Sequence, residues 1–189
     1  MSKSTDLGLL VLRVGFGAAA ATHGAQKLLG WFGGHGLEGT GGFFESVGFT
    51  PGKRNATLAG IAEGAGGVAV ALGLGTGPAG AALTGNMVVA SSFHGFDKFY
   101  AADGGPELPL AYAAVGTALT LTGPGRYSLD HLTGHVLDKP WMRAVAYAGA
   151  VGAAAAVIIG RRNELASRPA PEVVTEATVD EAQAPNDPS

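Results

Sequence analysis

Five apolar segments alternate with polar or glycine-rich connections along the chain. They cover residues 7–29, 56–74, 79–93, 108–121 and 142–159. A helix needs about 20 apolar residues to cross the hydrocarbon core of a bilayer, and the third and fourth segments are shorter than this. A thinner bilayer or polar helix ends must compensate for the difference. The pattern predicts an all-α membrane protein, in which the glycines that interrupt every segment let neighbouring helices pack closely.

The connections between these segments differ in length and composition. The sequence GTGP at 75–78 is so short that the second and third helices should form an antiparallel hairpin. The first connection is long, and its TGGFFESVGF portion is apolar enough to lie in the membrane interface as an amphipathic or re-entrant piece. After residue 160 the chain is rich in proline and acidic residues and has too few apolar groups to fold. We therefore expect a short N-terminal segment at 1–6, a linker and fifth helix at 133–160, and a disordered tail at 161–189.

Composition supports a membrane protein and excludes several classes of function. Charged residues make up 14% of the chain, against about 25% in soluble domains. No run of lysine and arginine occurs, so we expect no nucleic-acid partner. The chain contains no cysteine, which excludes disulfides, iron–sulfur clusters and c-type haem. A redox role must then depend on a partner or on a cofactor that is not covalently bound.

Charges near the helix ends predict the topology. The apolar run after Lys3 resembles a secretory signal, but Arg13 interrupts it and further apolar segments follow, so we expect a retained first helix. Five spans place the two termini on opposite sides of the membrane. The positive-inside rule favours a cytoplasmic C-terminus. This orientation places Lys27, Lys53, Arg54, Lys98, Arg161, Arg162 and Arg168 inside, and Lys3, Arg126, Lys139 and Arg143 outside.

A carboxylate in the second apolar segment, Glu63, should need a partner. An ionised carboxylate inside a bilayer costs on the order of 3 kcal/mol or more. At 1.5 Å per residue, His23 in the first helix lies nearest to Glu63 in depth, whereas Arg13 lies farther away but has a longer side chain. We expect His23 to be the partner, with Arg13 as the alternative. Lys27 shares a small-residue stripe with Arg13 and should extend towards the interface.

Further polar residues should gather at the same end of the bundle. If the third helix runs parallel to the first, its end brings His94 close to His23, Gln26 and Lys27. These side chains can donate to the carbonyl oxygens of a quinone, and Glu63 can exchange the accompanying proton. The candidate ligand or quinone pocket therefore consists of His23, Gln26, Lys27, Glu63 and His94.

Less specific interpretations of the same residues stay open. The polar side chains could form a self-satisfied network that only fixes helix register, with Arg13 and Asn86 as interhelical contacts. Haem ligation by His23 and His94 is geometrically allowed, while no metal site is expected because no close pair of ligands occurs in the spans. His131 and His135 share a helix face, but without an HExxH pattern we expect a solvated surface segment.

The order of several sequence blocks resembles the DoxX family of bacterial membrane proteins. The blocks are LVLRVGFGAAAATHGAQKLLGWFGG, AGIAEGAGGVAVALGL, AADGGPELPL and TGPGRYSLDHL. The resemblance implies a four-helix transmembrane domain at 7–132 in the plasma membrane, to which this chain adds a fifth helix. It carries over Arg13, His23, Gly24, Lys27, the block from Gly30, Glu63, Asn86, Asp103, Gly104, Gly105 and the block ending at Asp130.

The resemblance also suggests a function. The family is linked with membrane oxidoreductase assemblies, including thiosulfate-to-quinone electron transfer. We therefore expect a membrane subunit or anchor of such an assembly, with a soluble redox enzyme as partner and quinone as a candidate cofactor. A non-catalytic interaction scaffold and a small-solute transporter are the alternatives, and self-association within the bilayer is left open. No internal repeat supports transport.

Overall fold

The computed structural model describes residues 2–94 and 97–169, and within them the chain forms helices and turns but no strand. Short 3₁₀ turns at Trp31–Gly33 and Ala101–Asp103 lie between the longer elements. The helices are α1 (Lys3–Leu29), α2 (Gly36–Ser46), α3 (Gly52–Leu72), α4 (Thr76–Ser91), α5 (Glu107–Thr122), α6 (Leu129–Leu132) and α7 (Pro140–Ser167).

Local signals in the sequence set the helix ends. The side chain of Ser2 accepts a hydrogen bond from the backbone N–H of Thr5 and caps the start of α1. The same helix ends at Gly30, whose φ of 72° is a left-handed conformation that a side chain disfavours. Gly73, with a φ of 69°, ends α3 in the same way. Glycine thus acts as a helix terminator here as well as a packing residue.

Helices α1 and α3 form the closest antiparallel pair in the bundle. A Cβ atom added to Gly24 would lie 2.2 Å from the backbone nitrogen of Gly64, and one added to Gly17 would lie 2.5 Å from the carbonyl oxygen of Gly67. The two backbones are therefore in direct contact, as small residues allow in membrane helices. This contact fixes which residues of α1 face α3.

Helix α4 lies at the centre of the bundle and packs against α3, α5 and α7. Gly80 faces Gly116 of α5, with 2.8 Å between a Cβ added to Gly80 and the carbonyl oxygen of Gly116. Helix α7 runs parallel to α4, because Gly77 faces Arg143 near the start of both helices and Gly85 faces Ala150 about two turns later. Helices α1, α4 and α7 thus begin at one face of the bundle, called the upper face below, and end at the lower face.

The predicted helices are confirmed in position, and three of those in the described part of the chain are long and apolar enough to cross a membrane. These are α1, α3 and α7. Helices α4 and α5 have 16 residues each, or about 24 Å of length, which agrees with the two short apolar segments. The portion expected to lie in the membrane interface forms α2.

The boundary between the last helix and the tail was predicted wrongly. Helix α7 continues to Ser167, so residues 161–167, which were expected to belong to a disordered tail, are helical. The arginines at 161 and 168 bind backbone carbonyls of other elements, which supplies partners that the sequence pattern did not reveal. Residues 170–189 of the expected tail lie outside the described residues.

Candidate ligand cavity

Glu63 lies at the meeting point of three helices and is almost completely buried. Its side chain is 3% exposed, and the Nζ atom of Lys27 lies 2.5 Å from its Oε2 atom. The Nδ2 atom of Asn86 donates to the other carboxylate oxygen, Oε1, at 2.9 Å. Helices α1, α3 and α4 therefore each contribute one member of a polar triad, Lys27–Glu63–Asn86, in an apolar interior.

The triad lines a cavity of about 640 Å³. Helices α3 and α7 flank this cavity and α4 lies between them, while α2 contributes aromatic side chains. Apart from the triad and Asn55, the lining consists of alanine, glycine and other apolar residues. The volume is in the range of small-molecule sites, which are mostly apolar with a few polar groups that fix orientation.

The two kinds of apolar lining occupy different parts of the cavity. An aromatic cluster at the lower face consists of Phe43, Phe44, Phe49 and Phe93, and the Phe43 and Phe93 rings meet edge to face with centroids 5.8 Å apart. Small residues of α7, such as Ala150 and Ala153, form a smooth wall along the rest. The arrangement suits an elongated ligand with a flat head and an apolar chain.

Comparison with known families places this cavity in context. Residues 8–96 match the DoxX family. This stretch forms a DoxX domain. No curated protein and no solved structure matches the chain. The DoxX match contains all three residues of the triad and ends after α4, so the wall of the cavity that α7 provides lies outside the matched residues.

The predicted pairing of His23 with Glu63 is wrong, because His23 lies on a different face of α1. His23 is exposed, its Nδ1 atom lies 3.0 Å from Oε1 of Gln26, and its ring meets Tyr112 of α5 edge to face at 6.1 Å. Each residue turns about 100° around a helix, and Gly24 and Lys27 occupy the stripe that faces α3. His23 lies at a similar depth to Glu63, but its side chain points away from α3 and towards α5.

Two other predicted pocket residues also have partners outside the cavity. Gln26 donates from Nε2 to the carbonyl oxygen of Phe32 at 3.2 Å. The Nδ1 atom of His94 lies 2.7 Å from the carbonyl oxygen of Gly104, and its ring lies against that of Phe93, tilted by 42° with the centroids 4.0 Å apart. Of the five residues proposed for the pocket, only Lys27 and Glu63 line the cavity, where they are joined by Asn86.

Arg13 of the DoxX domain holds the upper face together instead of reaching Glu63. Its side chain is fully buried and donates to the carbonyl oxygens of Val70 and Ala71 at 3.2 Å each. It also donates to the carbonyl oxygen of Tyr127 at 2.5 Å. These carbonyls lie near the end of α3 and in the loop after α5, so Arg13 ties α1 to both.

An acidic cap at the upper face was missed in the sequence. Both carboxylate oxygens of Asp130 accept from the start of α4, with Oδ1 2.7 Å from the backbone nitrogen of Gly75 and Oδ2 3.0 Å from that of Thr76. A carboxylate at this position satisfies free N–H groups and the positive end of the helix. Asp138 similarly accepts from the backbone of Gly77. Because 54 residues separate Asp130 from Thr76, no local capping pattern could have revealed the contact.

The two histidines beside Asp130 do not assemble a metal site in the described part of the chain. The rings of His131 and His135 lie 5.9 Å apart, and no group of three or more potential ligands occurs among the described residues. His135 Nδ1 lies 3.9 Å from a carboxylate oxygen of Asp138. His131 lies in α6 and His135 in the turn after it, at the upper face.

Proposed function

We propose that this DoxX-domain protein is the membrane subunit of an oxidoreductase assembly and that its cavity binds a quinone. The single observation that carries the proposal is the Lys27–Glu63–Asn86 triad on the wall of a cavity that is otherwise apolar. Charged side chains inside membrane proteins are costly and usually mark sites of function. The electron donor in this proposal is a soluble redox enzyme that docks on the membrane subunit.

The hydrogen-bonding capacity of the triad fits a carbonyl head group. A lysine ammonium has three N–H donors, and Glu63 uses one of those of Lys27. The amide of Asn86 has a second N–H and a carbonyl oxygen beyond its bond to Glu63. Donors therefore remain for the oxygen of a quinone, and the carboxylate supplies a group that can exchange protons.

The shape of the cavity supports a ligand with an apolar chain. The aromatic cluster offers flat surfaces on which a ring can stack. The alanine and glycine wall of α7 offers a channel for an isoprenoid chain, and α7 itself is largely exposed along its length. A ligand of this kind dissolves in the bilayer and can therefore reach a cavity between membrane-spanning helices.

The distribution of basic residues supports a cytoplasmic lower face in the bacterial plasma membrane. Helix α7 ends at the lower face, so Arg168 and Pro169, which follow it, lie there. Positively charged residues near helix ends are enriched on the cytoplasmic side. Those at the lower face include Lys53, Arg54, Arg161, Arg162 and Arg168, and those at the upper face, besides the buried Arg13, include Lys3, Arg126, Lys139 and Arg143.

A membrane scaffold without chemistry is the second candidate function. The observation that favours it is that both carboxylate oxygens of Glu63 already have protein partners. A triad satisfied in this way can serve only to fix the register of α1, α3 and α4. The two candidates differ in what happens when the cavity is filled, because a scaffold does not need the space.

The test compares two phenylalanine substitutions on α7 in purified protein. Ala153→Phe places a ring in the cavity, while Ala155→Phe places the same ring on the lipid-facing side of the helix, where it serves as the matched control. We expect decylubiquinone to raise the melting temperature of the wild type and of Ala155→Phe but not that of Ala153→Phe. Glu63→Gln should weaken the shift. Absence of any shift in the wild type, with full redox activity of membranes carrying Ala153→Phe, would support the scaffold.

A further inference from the structure

The end of α7 and the residue that follows it bind the end of α2 through two arginines, Arg161 and Arg168. Arg161 donates from Nε to the carbonyl oxygen of Val47 at 2.8 Å, and Arg168 donates to the carbonyl oxygens of Ser46 at 2.8 Å and Glu45 at 2.7 Å. The last carbonyls of a helix have no partner within it, and positive charge is favourable at this end. The two arginines therefore cap α2 from another helix.

The same segment of α7 also packs on the aromatic wall of the cavity. The guanidinium of Arg161 lies 5.3 Å from the centre of the Phe49 ring and donates to the carbonyl oxygen of Ser92 at the end of α4. Gly48 lies directly beneath Leu165, since a Cβ added to Gly48 would be 2.9 Å from the leucine side chain. We call residues 161–168 the clasp.

Helix α2 is held at two places: it packs against α3, and the clasp binds its C-terminal end. It has 11 residues, and an isolated helix of this length is marginal in water. Gly36 at its start and Gly48 just after its end have φ values of 64° and 92°, so both flanks use left-handed conformations that glycine adopts more readily than other residues. Its residues Phe43 and Phe44 line the cavity at the lower face.

The side of the cavity that faces the bilayer has no such cover. Ala82 of α4 and Ala153 of α7 line the cavity and are solvent-accessible. Helices α3 and α7, which flank the cavity, do not pack closely on each other in the described part of the chain, so the cavity is open between them, towards the lipid. It is bounded by α2 and its clasp at the lower face.

We propose that Arg161 and Arg168 hold α2 closed over the lower end of the cavity, so that lipophilic ligands enter from the bilayer between α3 and α7. Release of the clasp opens the cavity to water at the lower face. The inference rests on the proposed function only in taking the cavity as a ligand site. The clasp itself can be tested without any ligand.

The experiment measures access of a water-soluble reagent to a cysteine placed in the cavity. The natural chain has no cysteine, so Ala90→Cys, on the part of α4 that lines the cavity, introduces a unique reporter thiol. Native membranes are treated from the lower face with charged sulfonatoethyl methanethiosulfonate, and labelling rates are compared with and without Arg161→Gln/Arg168→Gln. Ala102→Cys, exposed at the same face, reports that the reagent reaches that side.

Loss of the clasp should accelerate labelling of the cavity thiol by about tenfold or more, because one hydrogen bond from a charged donor already changes an equilibrium by roughly this factor. Arg162→Gln is the matched control, since it removes one positive charge from the same turn, where Arg162 is exposed. It should leave the rate unchanged. A small uncharged maleimide that partitions into lipid should label the reporter at similar rates in all variants.

Two results would overturn the proposal. One is an unchanged rate in the double variant, and the other is an equal acceleration in Arg162→Gln, which would indicate a general effect of charge. Gel filtration and melting temperature establish that each variant is folded. If the double variant does not fold, Arg168→Gln alone removes the two contacts to α2 at the exposed end of the clasp and should show a smaller acceleration. Because no quinone is present, these outcomes are independent of whether quinone binds.

Discussion

Removal of Lys27 should be among the most destabilising single changes in the bundle. Lys27→Met leaves the buried carboxylate of Glu63 with Asn86 as its remaining partner. Breaking a buried ion pair by removing one member costs about 3–5 kcal/mol. The Lys27 side chain is 24% exposed whereas that of Glu63 is 3% exposed, so some water reaches the site once the lysine is gone. We therefore expect a cost near the lower limit, about 3 kcal/mol.

The same exposures predict that the other half of the pair behaves differently. Glu63→Gln leaves the ammonium of Lys27, which can reach water along its flexible stem. The cost should be smaller, about 1–2 kcal/mol for a lost charged hydrogen bond. Replacing both, as in Lys27→Met/Glu63→Leu, removes both buried charges and should restore much of the stability lost in Lys27→Met. The pair should therefore be strongly non-additive.

Reversible unfolding in mixed micelles by a denaturing detergent can measure the free energy of unfolding of these three variants. His23→Leu is the control, because His23 is exposed and one turn away from the triad, and it should change stability by less than about 0.5 kcal/mol. The reasoning would be refuted if Lys27→Met cost no more than His23→Leu. It would also be refuted if the double variant were as unstable as the sum of the two single variants.

Four further predictions concern packing, capping, the stability contributed by the clasp and the side of the membrane on which the C-terminus lies. Gly24→Ala should cost about 1–3 kcal/mol by overpacking, whereas Gly15→Ala in the same helix should be tolerated because nothing lies within 4 Å of the added atom; thermal unfolding compares the two. Asp130→Ala should cost about 1–2 kcal/mol through loss of the α4 cap and should accelerate hydrogen exchange at the start of α4. Unchanged or slower exchange there would contradict the role. Truncation after Pro169 should leave the melting temperature unchanged while truncation after Gly160 lowers it, because the second removes the clasp. A protease added to inverted vesicles, but not to spheroplasts, should cleave the C-terminal residues if the lower face is cytoplasmic.

The apolar pattern was sufficient to locate the long helices because hydropathy over a span depends on composition and not on neighbours. It also identified Glu63 as a residue that needs a partner, since the cost of a charge in an apolar environment is independent of the details of packing. The glycine stripe of α1 was visible for the same reason, because helical periodicity alone brings Gly17 and Gly24 to one face. The resemblance to DoxX added the expectation of a membrane bundle. The resemblance is confirmed for residues 8–96.

The partners of the polar residues were decided by tertiary structure. Lys27 and not His23 meets Glu63 because the α1–α3 glycine contact sets the rotation of α1: His23 lies about 100° around the helix from Gly24, whereas Lys27 lies about 60° from it and has a longer side chain. Asp130 and the clasp join elements that are far apart in sequence, through backbone groups that every residue carries. Sequence by itself therefore determined where apolar helices form and that Glu63 needs a partner, since both depend on the nature of the residue. Only the packed bundle determined which groups meet, because a contact depends on the rotation and position of two helices at once.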